Sequence, residues 1–163
     1  MVFGAGYINV VSSSSCPVGV YILDLKTHQR SIVPGSDQLL WPKWSPDGRR
    51  LVAQSAKSEG SIMIYDFSTG KWSELIPAPG RSGVSYLQWS RDSKAIYYKV
   101  AGPAPGIYAT RIADHQTEKL ADLTGIATTG TNWQWAAVDP NGNPLILRLM
   151  HMDEIYALDV DLP

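Results

Sequence analysis

The sequence predicts an all-β protein: a β-propeller of about three and a half four-stranded antiparallel blades, forming a partial ring. Three observations predict it. A turn motif recurs along the chain, a tyrosine landmark accompanies it, and no segment sustains a helical pattern. The turn is Trp44-Ser45-Pro46-Asp47-Gly48, then Trp89-Ser90-Arg91-Asp92-Ser93, then a weaker Val138-Asp139-Pro140-Asn141-Gly142. Their first residues stand 45 (89 − 44) and 49 (138 − 89) positions apart, within the range for propeller blades. Ile64-Tyr65-Asp66, Ile107-Tyr108 and Ile155-Tyr156 follow their turns at similar distances, and Val20-Tyr21 precedes the set. Apolar residues nowhere keep an i, i+3, i+4, i+7 rhythm beyond about two turns. The 14 Gly and 11 Pro interrupt the chain too often for long helices.

Each unit then reads as short strands parted by turn chemistry. The first shows three, near residues 7–11, 18–25 and 30–33, and lacks an innermost one. The second gives strands at 40–44, 49–55, 61–67 and 72–76. Pro46 presets φ, Asp47 can bond its own downstream backbone, and Gly48 accepts positive φ. The third repeats the plan at 85–89, 95–100, 106–112 and 118–123. The last shows 135–138, 145–149 and 154–160. The blades run approximately 1–35, 36–79, 80–126 and 127–163, in a single partial propeller domain. Such an arc leaves sheet edges open to self-association. It reads as the C-terminal portion of a larger propeller, or as a half that pairs with another copy.

Composition narrows the function classes. With 14 Lys and Arg against 15 Asp and Glu, the net charge is −1, so nothing electrostatic points to nucleic acid or an anionic membrane. No run approaches the roughly 18 apolar residues that span a bilayer, so membrane insertion is not expected. The first cationic side chain is Lys26, and residues 1–11 do not read as a signal peptide. Cys16 is the single cysteine, which excludes an internal disulfide and any cysteine-based zinc site. Six Trp and eight Tyr against two Phe suit pleated surfaces that are half buried and half wet.

The succession Trp-Ser-Pro-Asp-Gly, an alternating strand, Ile64-Tyr65-Asp66 and Ser68-Thr69-Gly70-Lys71 resembles the TolB-like, WD-repeat-like propellers of bacteria. The ending is more specific. Trp133-Gln134-Trp135, then Asp139 through Arg148, then Asp153-Glu154-Ile155-Tyr156-Ala157-Leu158-Asp159 and Pro163 is similar to the C-termini of acidobacterial-type regulators. In those proteins a propeller follows a kinase or winged-helix domain. The resemblance implies extracytoplasmic, periplasmic sensing or protein interaction in signalling. Arg91 and Ser93 in the third unit, and Val138-Asp139 in the last, depart from the repeat.

Candidate site residues fall into three groups. Trp44, Asp47, Gly48, Trp89, Asp92, Asp139, Asn141 and Gly142 read as structural repeat turns, the aspartates as turn caps rather than a cation site. The second group is Trp41, Tyr86 and Trp135, each three residues before its turn motif. Innermost strands line a propeller's channel, so these three could ring one mouth as a stacking platform. Arg81 and Asn132 are the most usable contacts on the inter-blade loops. Gln54, Lys99 and Arg148 form another aligned column of long polar side chains. His28 and His115 hold matching turn positions, and with His151 they are read as exposed hairpin residues.

No zinc-binding His-Glu-x-x-His, nucleophile elbow or phosphate-cradling loop occurs, and Gly4-Ala5-Gly6 is too short for a dinucleotide loop. The sequence therefore predicts no enzyme, no cofactor and no metal. It predicts a binding module of a bacterial sensory or regulatory protein, taking a protein or small ligand at channel rim and loops. The alternatives are the gating domain of a prolyl-oligopeptidase-like hydrolase and an inactive truncated fragment.

Overall fold

The computed structural model describes residues 1–5, 18–57, 60–77, 83–125, 136–139 and 141–146. Every regular element among them is a strand, paired antiparallel with its neighbour. The first sheet is β1 (Val2–Ala5), β2 (Gly19–Leu23) and β3 (Arg30–Ile32). The second is β4 (Leu39–Trp44), β5 (Arg50–Ser55), β6 (Ile62–Asp66) and β7 (Lys71–Ile76). The third repeats it as β8 (Val84–Trp89), β9 (Ala95–Val100), β10 (Gly106–Arg111) and β11 (Thr117–Asp122). The described part of the last is β12 (Ala136–Val138) and β13 (Pro144–Ile146). Strands follow chain order in every sheet. This is the all-β, four-stranded-blade architecture that the repeat predicts.

Burial shows how the sheets stack. β5 is buried on both faces over most of its length, whereas β3 is exposed throughout and β7 and β11 largely so. Each sheet is covered by its neighbours near the inner strands and wets its outer edge. β4 lies beside β8, β12 beside β8 and β9, and β1 and β2 beside β4. Two apolar clusters fill the gaps. Val20 and Val33 meet Leu39, Leu51, Ala53 and Tyr65 between the first and second sheets. Val52, Ile62, Ile64 and Leu75 meet Leu87, Trp89, Ile96 and Tyr98 between the second and third. Each fully buried aliphatic contributes about 1.5–3 kcal/mol relative to exposure, so the stack holds through these gaps more than through any single sheet.

The repeated turns explain why the strands end where they do. Ser45 N donates to Arg50 O and Gly48 N to Ser45 O; Ser90 N donates to Ala95 O and Ser93 N to Ser90 O. The corner residue has positive φ each time: Gly48 at 73°, Ser93 at 60° and Gly142 at 87°. The outer hairpins have a left-handed corner of their own, at His28, Gly70 and His115.

The first sheet departs from expectation. The partner of β2 is Val2–Ala5, with Gly4 opposite Val20, not the strand expected over 7–11, which lies outside the described residues. Gly4 and Ala5, which the sequence reading assigns to no strand, are drawn into a sheet by pairing with β2. The expected strands 147–149 and 154–160 also lie outside the described residues.

Candidate functional site

Both full sheets interrupt their inner strand at the same place. Leu40 pairs with Gln54 and Lys43 with Val52, so Trp41 and Pro42 together face Ala53. In the third sheet Ser85 pairs with Lys99 and Gln88 with Tyr97, leaving Tyr86 and Leu87 opposite Tyr98. These are β-bulges, which bend a strand and re-aim a side chain. The bulge residues Trp41 and Tyr86 are left-handed, at φ 48° and 59°. Glycine normally fills that conformation, since a side chain there costs about 1–2 kcal/mol. At Trp41 the following proline adds to the conflict. Two large aromatics are thus held at corresponding strained positions of successive inner strands. Trp41 is 56% exposed and Tyr86 half-buried, while Leu87 turns inward.

The polar column seen in the sequence borders this feature. Lys99 Nζ stands 5.9 Å from the Tyr86 ring centroid, and burial lowers its pKa. Gln54, at the matching position of β5, is 8% exposed. Its Nε2 donates to Val84 O across the sheet gap at 2.8 Å, and among the described residues its buried Oε1 has no hydrogen-bond partner. Gly60 covers it so closely that a Cβ there would stand 2.9 Å from Gln54 Nε2. Composition gives no warning that this acceptor is left over; the signal is positional, a glutamine where the repeat places Lys99.

The turn residues hold the scaffold together. Ser45 Oγ donates to Asp47 Oδ1 at 2.7 Å and Arg49 N donates to the same atom; Ser90, Asp92 and Lys94 repeat the arrangement. These bonds, the serine hydroxyl's foremost, lower both carboxyl pKa values. Asp139 takes the place of the serine and accepts from Asn141 N, Asn143 N and Asn143 Nδ2, and Asn143 lowers its pKa most. Each carboxylate serves its own turn. Trp89 is buried and its Nε1–H donates to Lys43 O in the preceding sheet, and Asp47 N donates to Ser93 Oγ. Trp44 is half-exposed, near Gly48 and stacked on Phe67 at 5.2 Å.

His28 and His115 sit exposed at the corners of separate hairpins. Among the described residues no three His, Cys, Asp or Glu side chains gather as metal ligands would, and no helix is long and apolar enough to cross a membrane. Trp135, Arg81, Asn132, Arg148 and His151 lie outside the described residues. The structure thus places Trp41 and Tyr86 on neighbouring inner strands and leaves the third aromatic of the expected ring undescribed.

No family model matches the chain. The Tol-Pal system protein TolB of Histophilus somni (strain 2336) is 33% identical over 79 residues, covering 47% of this chain and 18% of that protein. The crystal structure of TolB from Acinetobacter baumannii superposes with a TM-score of 0.61 at 21% identity, over 85% of this chain and 39% of that one. The fold is that of a TolB-like β-propeller. Its likeness extends to enzymes that carry propellers: a structure from a study of two prolyl endopeptidases gives a TM-score of 0.58 at 17% identity, over 81% of this chain and 23% of that one. The chain thus spans under a fifth of the TolB sequence it matches and well under half of these solved propellers.

Proposed function

We propose that this TolB-like propeller is a non-catalytic recognition module of a bacterial sensory or regulatory protein. Its contact surface is the end of the inner strands that carries Trp41 and Tyr86. One observation supports this above the rest: both aromatics occupy left-handed bulge positions where an L side chain is costly. Trp41 keeps more than half its surface in water at that position. An exposed aromatic offers a broad face to a peptide, a sugar or another ring at small entropic cost. Lys99 beside Tyr86 adds a cationic edge.

Binding of the purified chain to peptide and glycan arrays tests the reading. The expected result is a defined class of bound ligand, with Trp41→Ala and Tyr86→Ala each weakening it at least about tenfold, the value of one good contact. Binding unchanged in both variants would refute it. The likeness to a prolyl endopeptidase favours a second reading, a propeller that gates a hydrolase domain. Under that reading the array yields no ligand, while adding the chain to a partner hydrolase domain changes its selectivity for substrate size.

A further inference from the structure

The three repeat turns share a plan and differ in one side chain. Asp47 and Asp92 stand in two of them, and Asn141 takes their place in the third, followed by Gly142. Ser45 Oγ and Ser90 Oγ donate to those aspartates, and Asp47 N reaches Ser93 Oγ in the next sheet. Asn141 is held differently. Its backbone N donates to Asp139 Oδ1, but among the described residues its exposed carboxamide makes no hydrogen bond.

The turn calls for glycine after this asparagine. Gly142 has φ 87°, and a Cβ on it would stand 3.2 Å from Tyr97 Oη in the third sheet. The fold itself thus disfavours the bulkier neighbour that would shield the peptide nitrogen. A neutral carboxamide beside an unshielded peptide nitrogen is an electrophile beside a nucleophile. The ionised carboxylate of Asp47, ahead of Gly48, is a poor electrophile, and Pro144 gives Asn143 no N–H to react with. Gly142 N donates to Asp139 O at 3.0 Å, so the reaction waits on the turn opening. Among the described residues three pairs join β12 to β13, and so short a hairpin opens readily.

We propose that Asn141 is a self-modifying site, converted without an enzyme to aspartate and isoaspartate, and that the conversion loosens the β12–β13 hairpin. Gly142 N loses its proton to solvent base and bonds to Asn141 Cγ. The Cγ–Nδ2 bond then breaks, and ammonia leaves with a proton from solvent. Water opens the resulting cyclic imide. Breaking the ring bond from nitrogen to Cγ restores the normal chain as aspartate; breaking the bond to the main-chain carbonyl leaves isoaspartate, with an extra backbone carbon. Nothing is oxidised or reduced. Either product sets a carboxylate near Asp139, already the acceptor for Asn143 N and Nδ2, and like charges so close repel. Isoaspartate also displaces Gly142 N from Asp139 O.

The test ages the intact protein in mildly alkaline buffer and maps its peptides by mass spectrometry. Expected are an amide-to-acid mass gain that fragment ions place at residue 141 and not 143, a matching release of ammonia, and methyl transfer by an isoaspartate methyltransferase. The rate should rise with hydroxide concentration. Asn141→Ser, an exposed change, should fold normally and give none of these signals. In the aged protein, amides of β12 and β13 should exchange about fivefold faster, the loss of one hydrogen bond, while β5 and β9 keep their protection. An unmodified residue 141, under conditions that fully convert a synthetic peptide of residues 136–146, would overturn the proposal. So would conversion confined to Asn9 or Asn132, or an aged hairpin that exchanges at its original rate.

Discussion

At the scale of single residues, the left-handed aromatics and the turn aspartates make separable demands. Glycine tolerates the conformation of Trp41 and alanine does not, so Trp41→Gly is expected to exceed Trp41→Ala in stability by about 1 kcal/mol. Both variants should lose ligand binding equally, and urea unfolding beside a binding assay checks it. Equal stabilities would mean that the position carries no strain. The aspartates govern acid behaviour. Asp47, Asp92 and Asp139 are held below the ordinary 3.8 by hydrogen bonds within their turns. A carboxyl whose pKa is lower folded than unfolded stabilises above its unfolded value and ceases to as pH falls through the folded one. Thermal unfolding midpoints should therefore stay level from neutrality to about pH 5 and drop below about pH 4. Asp47→Asn combined with Asp92→Asn should make that drop shallower without removing it, since Asp24, Asp66, Asp114 and Asp122 are lowered as well. Parallel acid limbs in variant and wild type would place the acid sensitivity elsewhere.

At the scale of elements, the decisive bonds run between sheets. Trp89→Phe removes a buried donor whose partner is Lys43 O, and should destabilise by about 1–2 kcal/mol. Trp44→Phe, at a half-exposed site with no such bond, should cost less than about 1 kcal/mol. Denaturant midpoints of the two variants check the contrast, and equal losses would contradict it. This scale also shows how legible the sequence was. The strands of the second and third sheets could be read because turn chemistry punctuates them and the 45-residue offset repeats the turn residues. β1 was not foreseen because Gly4 and Ala5 carry little strand propensity, and only the partner strand makes them extended. The bulges were hidden for the opposite reason. Trp41 and Tyr86 are strong strand formers, so propensity argues for regular pairing where the backbone departs from it. Their alignment was visible in sequence; their conformation was not.

At the scale of the whole molecule, the contacts between sheets among the described residues run chiefly between neighbours, so stability builds up sheet by sheet as in a repeat array. The second and third sheets share the larger apolar cluster and three direct links: Gln54 to Val84, Trp89 to Lys43, and Asp47 to Ser93. Amides in β5, β6, β8 and β9 should therefore exchange slowest and report global unfolding, while those of β12 and β13 exchange through local opening. Native-state hydrogen exchange against denaturant tests this order. Uniform protection across all the sheets would show a single cooperative unit instead. The candidate site was half legible at this scale. The column of aromatics could be found by counting, but the unpartnered oxygen of Gln54 depends on which neighbouring carbonyl takes its amide, and the sequence holds no trace of that.

The unequal exposure of Trp41 and Trp89, two of the six tryptophans, gives the chain built-in optical probes. Trp41 stands largely in water while Trp89 is sealed between sheets, so the first emits further to the red and collides freely with a dissolved quencher, and the second does neither. A ligand stacking on the inner-strand rim would shield the red edge of the emission more than the blue, with no dye attached.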